Sequence, residues 1–293
     1  MNLCDLKTVR QIMAMFSLSF RKEFGQNFLT DRFVVEDIAD QCCMEESTIL
    51  EIGPGIGTLT YELAQRHREV VCLEIDRGLI PVLKYTLGEF QNVRVINEDV
   101  MQTDLDALLS PAFASGKVSV CANLPYYITT PILMKLLESG LPFEYVTVMI
   151  QAEVADRLCA KAGSKDYGAI TAVLAYYGEA EKLFTVPADR FVPAPKVNST
   201  VIRIKLHKQK PYRPKDEATL FRTIKAAFGQ RRKTLANALD AGFPELTREE
   251  ITSAIAACGH DASIRGERLD IAAFTTLSDL LYEKLCQKKG DLT

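Results

Sequence analysis

Short apolar runs alternate with segments of helical period along the first two thirds of the chain. Residues 48–52, 70–73, 93–96, 118–122 and 145–150 are rich in Val, Ile and Cys and stop at Gly53, Glu74, Asn97, Asn123 and Gln151. Runs of this length and composition read as strands. Residues 59–66, 100–109, 153–160 and 168–177 place apolar side chains at helical intervals between and after them. Two further runs, 183–186 and 201–206, bring the count to about seven strands. Strands interleaved with helices predict a doubly wound α/β layer.

The two ends of the chain have different patterns. Residues 11–20 read as an amphipathic helix, not a signal-peptide core, because serines interrupt the run and Arg21-Lys22 follows without a small-residue cleavage site. Phe33, Val34, Ile38 and Cys42 predict a first core helix, with Thr30 or Asp31 as its N-cap. From Asp216 onward only helical periods remain, at 220–228, 232–239, 248–258 and 271–285, after a linker over 208–214. The expected organisation is an N-terminal helix in 1–20, a sheet domain in 21–208 and a small α-helical domain in 215–293. A chain of 293 residues has room for one large unit and one small one.

Candidate chemistry collects where strands end. After Ile52 come Gly53, Gly55 and Gly57 at every second position, and then a helix. Glycines there let the backbone turn tightly and a ligand come close, and the helix N-terminus would face its polar or anionic group. The spacing does not match a dinucleotide fingerprint, whose third glycine comes three residues after the second. Gly57-Thr58-Leu59 also lacks the Lys-Ser/Thr of a phosphate-binding Walker loop. Glu74, 21 residues beyond Gly53 at the next strand end, is placed to accept both hydrogen bonds of a ribose diol. Asp99 could accept from an adenine amino group at the same rim; as a residue on its own it would cap the helix predicted from Val100. Asn27, in Gly25-Gln26-Asn27, reads as a turn residue on the same local grounds.

The fourth strand runs into Asn123-Leu124-Pro125-Tyr126-Tyr127. This set suits the activation of an adenine N6, a poor nucleophile because its lone pair is delocalised into the ring. The Asn123 amide oxygen can accept one N6 hydrogen, and the Leu124 carbonyl, held extended by the following proline, can accept the other. Pro125 adds no competing donor. Tyr126 offers a face on which a base could stack, worth about 1–3 kcal/mol. Asn123, Leu124, Pro125 and Tyr126 are therefore the candidate reaction centre. Residues 191–196, Phe-Val-Pro-Ala-Pro-Lys, are too proline-rich for a helix and read as an ordered loop at the site rim.

Composition narrows the class. Hydrophobic residues make up 47% and charged ones 25%, and no apolar run reaches the length a membrane span needs, so a soluble globular protein is expected. The net charge of −3 conceals an asymmetry: residues 186–240 hold 13 Lys and Arg against 4 Asp and Glu, a net of +9. Such a stretch suits a polyanion, and Arg231, Arg232 and Lys233, clustered without acids, are its candidate contacts. The eight cysteines form no Cys-x-x-Cys pair and read as buried thiols in a reducing compartment. The three histidines, at 67, 207 and 260, are scattered, so no metal site is expected.

Six segments then carry a resemblance. They are 24–29 (Phe-Gly-Gln-Asn-Phe-Leu), 50–60 around the glycines, 123–127, Tyr167-Gly168, 191–197 and 228–235 (Phe-Gly-Gln-Arg-Arg-Lys-Thr-Leu). In this order, and nearly end to end, they resemble the motifs of the ribosomal RNA adenine dimethylases, in particular the bacterial small-subunit branch. The resemblance implies a seven-stranded Rossmann-like S-adenosylmethionine methyltransferase sheet with a small helical domain behind it. It implies S-adenosylmethionine held by Asn27, Leu29, Gly53, Gly55, Glu74, Asp99 and Asn123. The implied substrate is a pair of adjacent adenosines in the 3′-terminal hairpin of 16S rRNA, within the immature small subunit, and the expected enzyme is a cytoplasmic monomer without metal. Two alternatives stay open: a large-subunit adenine methyltransferase of the antibiotic-resistance type, and a mainly non-catalytic assembly factor. The departures from the pattern are a longer segment ahead of Arg21 and Glu23-Phe24 where a basic or small pair is frequent; both bear on the N-terminal lid contacts.

Overall fold

The computed structural model of the protein describes residues 1–18, 27–43, 46–230 and 232–290. The chain divides into two compact units, Met1–Ala155 with Ala180–Lys208, and Asp156–Glu179 with Gln209–Thr293. No helix among the described residues is long and apolar enough to cross a membrane.

The first unit is built on a sheet of seven strands. In chain order they are β2 (Thr48–Ile52), β3 (Glu69–Leu73), β4 (Val93–Ile96), β5 (Val118–Asn123), β6 (Tyr145–Gln151), β7 (Gly178–Val186) and β9 (Ser199–Leu206), laid out as β4-β3-β2-β5-β6-β9-β7. β2 pairs in parallel with β3 (Leu50 opposite Val71) and with β5 (Leu50 opposite Val120), while β9 runs antiparallel to β6 (Val148 opposite Ile202). Every residue of β2 is buried, which explains why its apolar residues do not alternate with exposed polar ones; Glu51 is the one charged residue in the run. Ile49 and Leu50 are fully enclosed, each contributing about 1.5–3 kcal/mol of burial.

The chain builds outward from β2 to β3 and β4, then returns to β5 on the other side of β2. That reversal opens a crevice at the carboxyl ends of β2 and β5, where open α/β sheets bind their ligands. Both strand-end motifs singled out in the sequence flank it.

The helices follow their caps. The helix α2 (Arg32–Gln41) starts at Asp31, whose carboxylate accepts from the amides of Phe33 and Val34 at 3.0 and 3.4 Å. The helix α3 (Thr58–Arg66) starts at Gly57, with φ +89°. The helix expected over 100–109 begins later: α5 is Leu105–Ser115, capped by Asp104, while Asp99 accepts from the Met101 amide and closes a separate turn. The N-terminal helix α1 is Leu6–Met15, not 11–20, and it belongs to the first unit's core. Val9, Ile12 and Met13 pack there with Phe28, Ile56, Leu79 and Val82.

Residues 191–196 are not simply a loop. Phe191 and Val192 form a short strand, β8, paired antiparallel with β1 (Phe28–Leu29). Thr30 extends the pairing by donating its amide to the Arg190 carbonyl at 2.8 Å.

The second unit is helical. It contains α8 (Ala169–Tyr177), α9 (Glu217–Gly229), α10 (Leu235–Gly242), α11 (Arg248–Ala257) and α12 (Ile271–Gly290). The sequence reading kept 156–179 with the sheet; the structure groups Asp156–Glu179 with the C-terminal helices. The reason lies in the composition of α8, Ala-Ile-Thr-Ala-Val-Leu-Ala-Tyr-Tyr, which is apolar on nearly every side and packs on α9 and α12. Tyr167, just before α8, donates its hydroxyl to the Leu269 carbonyl at 2.9 Å within the same unit.

Candidate functional site

The crevice at the ends of β2 and β5 is a cleft lined by Asn27, Leu29, Glu51, Gly53, Gly55, Thr58, Glu74, Asn123, Leu124, Pro125, Tyr126 and Met149, among others. All of these lie in the first unit. Its floor is the glycine turn. Gly53 and Gly55 have φ of +69° and +62°, values that side chains other than glycine rarely adopt. A Cβ on Gly53 would meet nothing within 4 Å, so the backbone there borders open space; a Cβ on Gly55 would come to 3.0 Å from the Phe28 ring.

Glu74 ties the turn to the next strand. It is only 4% exposed, and its two carboxylate oxygens accept from the Gly55 amide at 3.1 Å and the Asp76 amide at 2.8 Å. Burial pushes its pKa up to about 7 despite these bonds. Glu51, in the middle of the β2 run, lines the same cleft and is 1% exposed. Burial raises its pKa to about 8, and the charge of Glu74 adds to the shift. At neutral pH Glu51 is therefore mainly a neutral carboxylic acid, able to donate a hydrogen bond.

The opposite wall is the end of β5. The Asn123 side-chain amide donates to the Asn27 carbonyl at 3.3 Å, so its Oδ1 remains an acceptor, and Asn123 lines the cleft. The Leu124 amide donates to the Met149 carbonyl, whereas the Leu124 carbonyl has no donor among the described residues. The Pro125 carbonyl accepts from the Ile128 amide and the Thr129 hydroxyl, closing the turn into α6 (Thr129–Glu138). Tyr126 is held by a 2.7 Å hydrogen bond between its hydroxyl and Ser199 Oγ, and burial raises its pKa. Tyr127 is 62% exposed.

The structure thus brings together Asn27, Leu29, Gly53, Gly55, Glu74, Asn123, Leu124, Pro125 and Tyr126 in one cleft. The turn read at Gly25-Gln26-Asn27 lies mostly outside the described residues; the Asn27 backbone carbonyl accepts from the Asn123 side chain. Leu29 is fixed in the wall by its pairing with Phe191. Asp99 lies outside this lining, in a separate groove with Arg94, Glu98 and Gln102; its oxygens accept from the Met101 amide at 2.9 Å and Gln102 Nε2 at 3.3 Å. Arg232 and Lys233 are exposed and pair with no described carboxylate, and Arg231 lies outside the described residues.

Two features escaped the sequence reading. Glu51 was not singled out, although a glutamate inside an otherwise apolar strand is a signal. The second is a convergence of residues read as scattered: Cys42, Cys43 and His67 bring three donor atoms within 4.8 Å of one another. Scattered in sequence, they meet because α2 and α3 pack side by side and end together.

The cleft fits a nucleoside sulfonium such as S-adenosylmethionine. It offers a buried carboxylate at the end of β3, side-chain-free backbone at Gly53, and a buried Thr58 hydroxyl without a protein partner at the start of α3.

Comparisons with known proteins agree with this geometry. The ribosomal RNA adenine dimethylase family matches residues 17–270. Among curated proteins, the ribosomal RNA small subunit methyltransferase A of Geobacillus thermodenitrificans is 46% identical over 276 residues, covering 93% of this chain and 94% of its own. Among solved structures, a dimethyladenosine transferase from Plasmodium falciparum shares the fold, with a TM-score of 0.70 at 22% identity over 88% of this chain and 98% of its own. The 23S rRNA methyltransferase ErmE superposes with a TM-score of 0.67 at 25% identity over 87% of this chain and 100% of its own. A family match over most of the chain, with a full-length relative at 46% identity, places this chain in the ribosomal RNA adenine dimethylase family of S-adenosylmethionine-dependent methyltransferases.

Proposed function

We propose that the protein transfers methyl groups from S-adenosylmethionine to N6 of two adjacent adenosines in the 3′-terminal hairpin of 16S rRNA. On this reading it acts as a cytoplasmic monomer on the immature small subunit. The carrying observation is that Asn123-Leu124-Pro125-Tyr126 forms one wall of the cleft whose floor is the glycine turn and Glu74. The small-subunit assignment is supported by 44–46% identity, over 92–96% of this chain, to small-subunit methyltransferases A of three bacteria.

When bound, S-adenosylmethionine supplies a methyl group already activated by its sulfonium charge. The chain's residues hold and orient. Glu74 would take the ribose diol; each of its oxygens accepts one backbone amide and keeps a second lone pair. Two diol hydrogen bonds would favour the carboxylate and lower a pKa that burial has raised to about 7. Gly53, Gly55, Asn27 and Leu29 would border the cofactor, and Asp99 would accept from the adenine amino group through its remaining lone pairs.

For the target base, Asn123 Oδ1 and the Leu124 carbonyl are two acceptors on one wall, suited to the two hydrogens of an N6 amine. Accepting both localises the nitrogen lone pair, and positioning would account for most of the rate. The base must leave its stack, at a cost of a few kcal/mol that stacking on Tyr126 offsets. Arg231, Arg232 and Lys233 would contact RNA phosphates. The test is transfer of labelled methyl groups to small subunits from cells lacking the modification, with mass mapping of the RNA. Two dimethylated neighbouring adenosines in the 3′-terminal hairpin are expected. Methylation of large-subunit RNA instead, or tight binding without transfer, would overturn the proposal.

A further inference from the structure

At the other end of the strands from the cleft, where β2 and β3 begin, the structure gathers a set of soft donors. Cys42 is the C-cap of α2, Cys43 follows it, and His67 is the C-cap of α3. Cys42 Sγ lies 3.8 Å from Cys43 Sγ and 3.3 Å from His67 Nε2, and Cys43 Sγ is 4.0 Å from the same nitrogen. Both cysteines are buried, and Ser47, itself 1% exposed, holds its hydroxyl 3.3 Å from Cys43 Sγ.

These separations match the edges of a metal coordination tetrahedron. With zinc bonds of about 2.3 Å to sulfur and about 2.0–2.1 Å to nitrogen, tetrahedral edges are about 3.8 Å between sulfurs and about 3.5 Å from sulfur to nitrogen. The observed 3.8, 3.3 and 4.0 Å fall around those values, but Cys43 Sγ is also 3.9 Å from His67 Nδ1, where a sulfur sharing a tetrahedral zinc with Nε2 stands about 5 Å away, so the imidazole must turn to present Nε2 to both sulfurs. Charge separates the candidate ions. Two thiolates and a neutral imidazole exactly cancel a divalent cation, whereas a monovalent copper ion would leave a net negative charge among buried groups.

We propose that Cys42, Cys43 and His67 form a zinc site, with the Ser47 hydroxyl or a water as fourth donor, that staples the end of α2 to the end of α3. Binding is balanced by proton release: Zn²⁺ displaces the two thiol protons to solvent, and no redox step is involved. The site lies outside the cleft and does not rest on the proposed methyl transfer. An ion bound to the folded chain alone raises its stability by mass action.

The probe is Co²⁺ titrated into the full-length reduced protein, followed by Zn²⁺. Expected are one Co²⁺ per chain with thiolate charge-transfer and tetrahedral absorption bands, displacement by Zn²⁺, and a higher melting temperature with either ion. Loss of an outer partner of a metal ligand typically costs about 10–100-fold in affinity. Losing a donor, in Cys43→Ser or His67→Gln, should cost at least that much, while Cys286→Ser at an exposed position should change nothing. Circular-dichroism melts without metal establish that each variant is folded, and the near-isosteric Cys43→Ser serves if His67→Gln is not. Absence of the thiolate band, its persistence in both folded variants, or tight binding of Cu⁺ without Zn²⁺ would overturn the assignment. The cluster would then be a thiol and imidazole hydrogen-bonded pair.

Discussion

The strand ends of the first unit and the helix ends of the second use polar side chains in opposite ways. In the helical unit they complete local bonds: Asp216 accepts from the Thr219 amide at 2.7 Å, and Thr247 and Glu250 cap each other's amides at 3.3 and 2.6 Å. At the ends of β2, β3 and β5 the polar groups are buried but keep capacity in reserve. Glu51 and Glu74 carry raised pKa values, and among the described residues the Thr58 hydroxyl has no partner and the Leu124 carbonyl no donor. Burial of such groups costs stability and is found where a ligand completes them. The helix caps of the second unit are satisfied within the chain, whereas the strand ends keep donors and acceptors that a ligand could complete.

The contrast can be broken at several points, and the largest effect is expected at Asn123. Asn123→Ala removes one proposed acceptor for N6, and single-turnover methyl transfer with saturating RNA should fall on the order of 100–1000-fold, as for other transition-state hydrogen-bond partners. A wild-type rate would remove the acceptor role.

Next in size is the pH dependence of stability. Glu51 has a pKa near 8 in the folded chain against an ordinary value of 4.5. It holds its proton more tightly when folded, so its stabilising contribution is full below about pH 4.5 and is lost as pH rises toward 8. Glu51→Gln, which cannot ionise, should match the wild type only below about pH 4 in melting experiments. At pH 8–9 it should be more stable, by on the order of a few kcal/mol. Equal melting curves at high pH would show that Glu51 is charged and paired.

In the helical unit, replacing Arg231, Arg232 and Lys233 together with glutamine should flatten the dependence of log RNA affinity on log salt by about 2–3 units, if each contacts a phosphate. Cofactor affinity should stay constant; parallel salt lines would favour a merely solvated face. The smallest effect belongs to a cap. Thr247→Ala should lower stability by about 1 kcal/mol in denaturant melts and leave methyl transfer untouched.

Local pattern made much of this legible in the sequence. The end of β2 at Ile52, the glycine turn and the Asn123 to Tyr126 cluster are contiguous segments, and the structure puts each at the strand end where the sequence predicts it. What escaped is non-local. Leu29 is a wall residue because it pairs with Phe191, more than 160 positions away, and no local pattern in the Phe-Val-Pro-Ala-Pro stretch announces that partner. The grouping of 156–179 with the later helices follows from packing of α8, whose apolarity shows that it is buried but not against what. Cys42, Cys43 and His67 converge through helix packing, with none of the short spacings that mark a metal site in a sequence. The late start of the next helix has a local cause: Asp99 closes a turn by accepting from the Met101 amide, and the helix begins only at Leu105.

Whether the reserve at the strand ends serves a ligand is tested most directly at Glu74, by calorimetric titration of S-adenosylmethionine into wild type, Glu74→Gln and Glu74→Ala. Hydrogen bonds to a charged group contribute about 1.5–3 kcal/mol, so Glu74→Ala should weaken binding on the order of 10–100-fold, with Glu74→Gln between it and the wild type. One site per chain with that ordering is the predicted result. Unchanged affinity in a folded Glu74→Ala protein would place the cofactor elsewhere and contradict the assignment of the cleft.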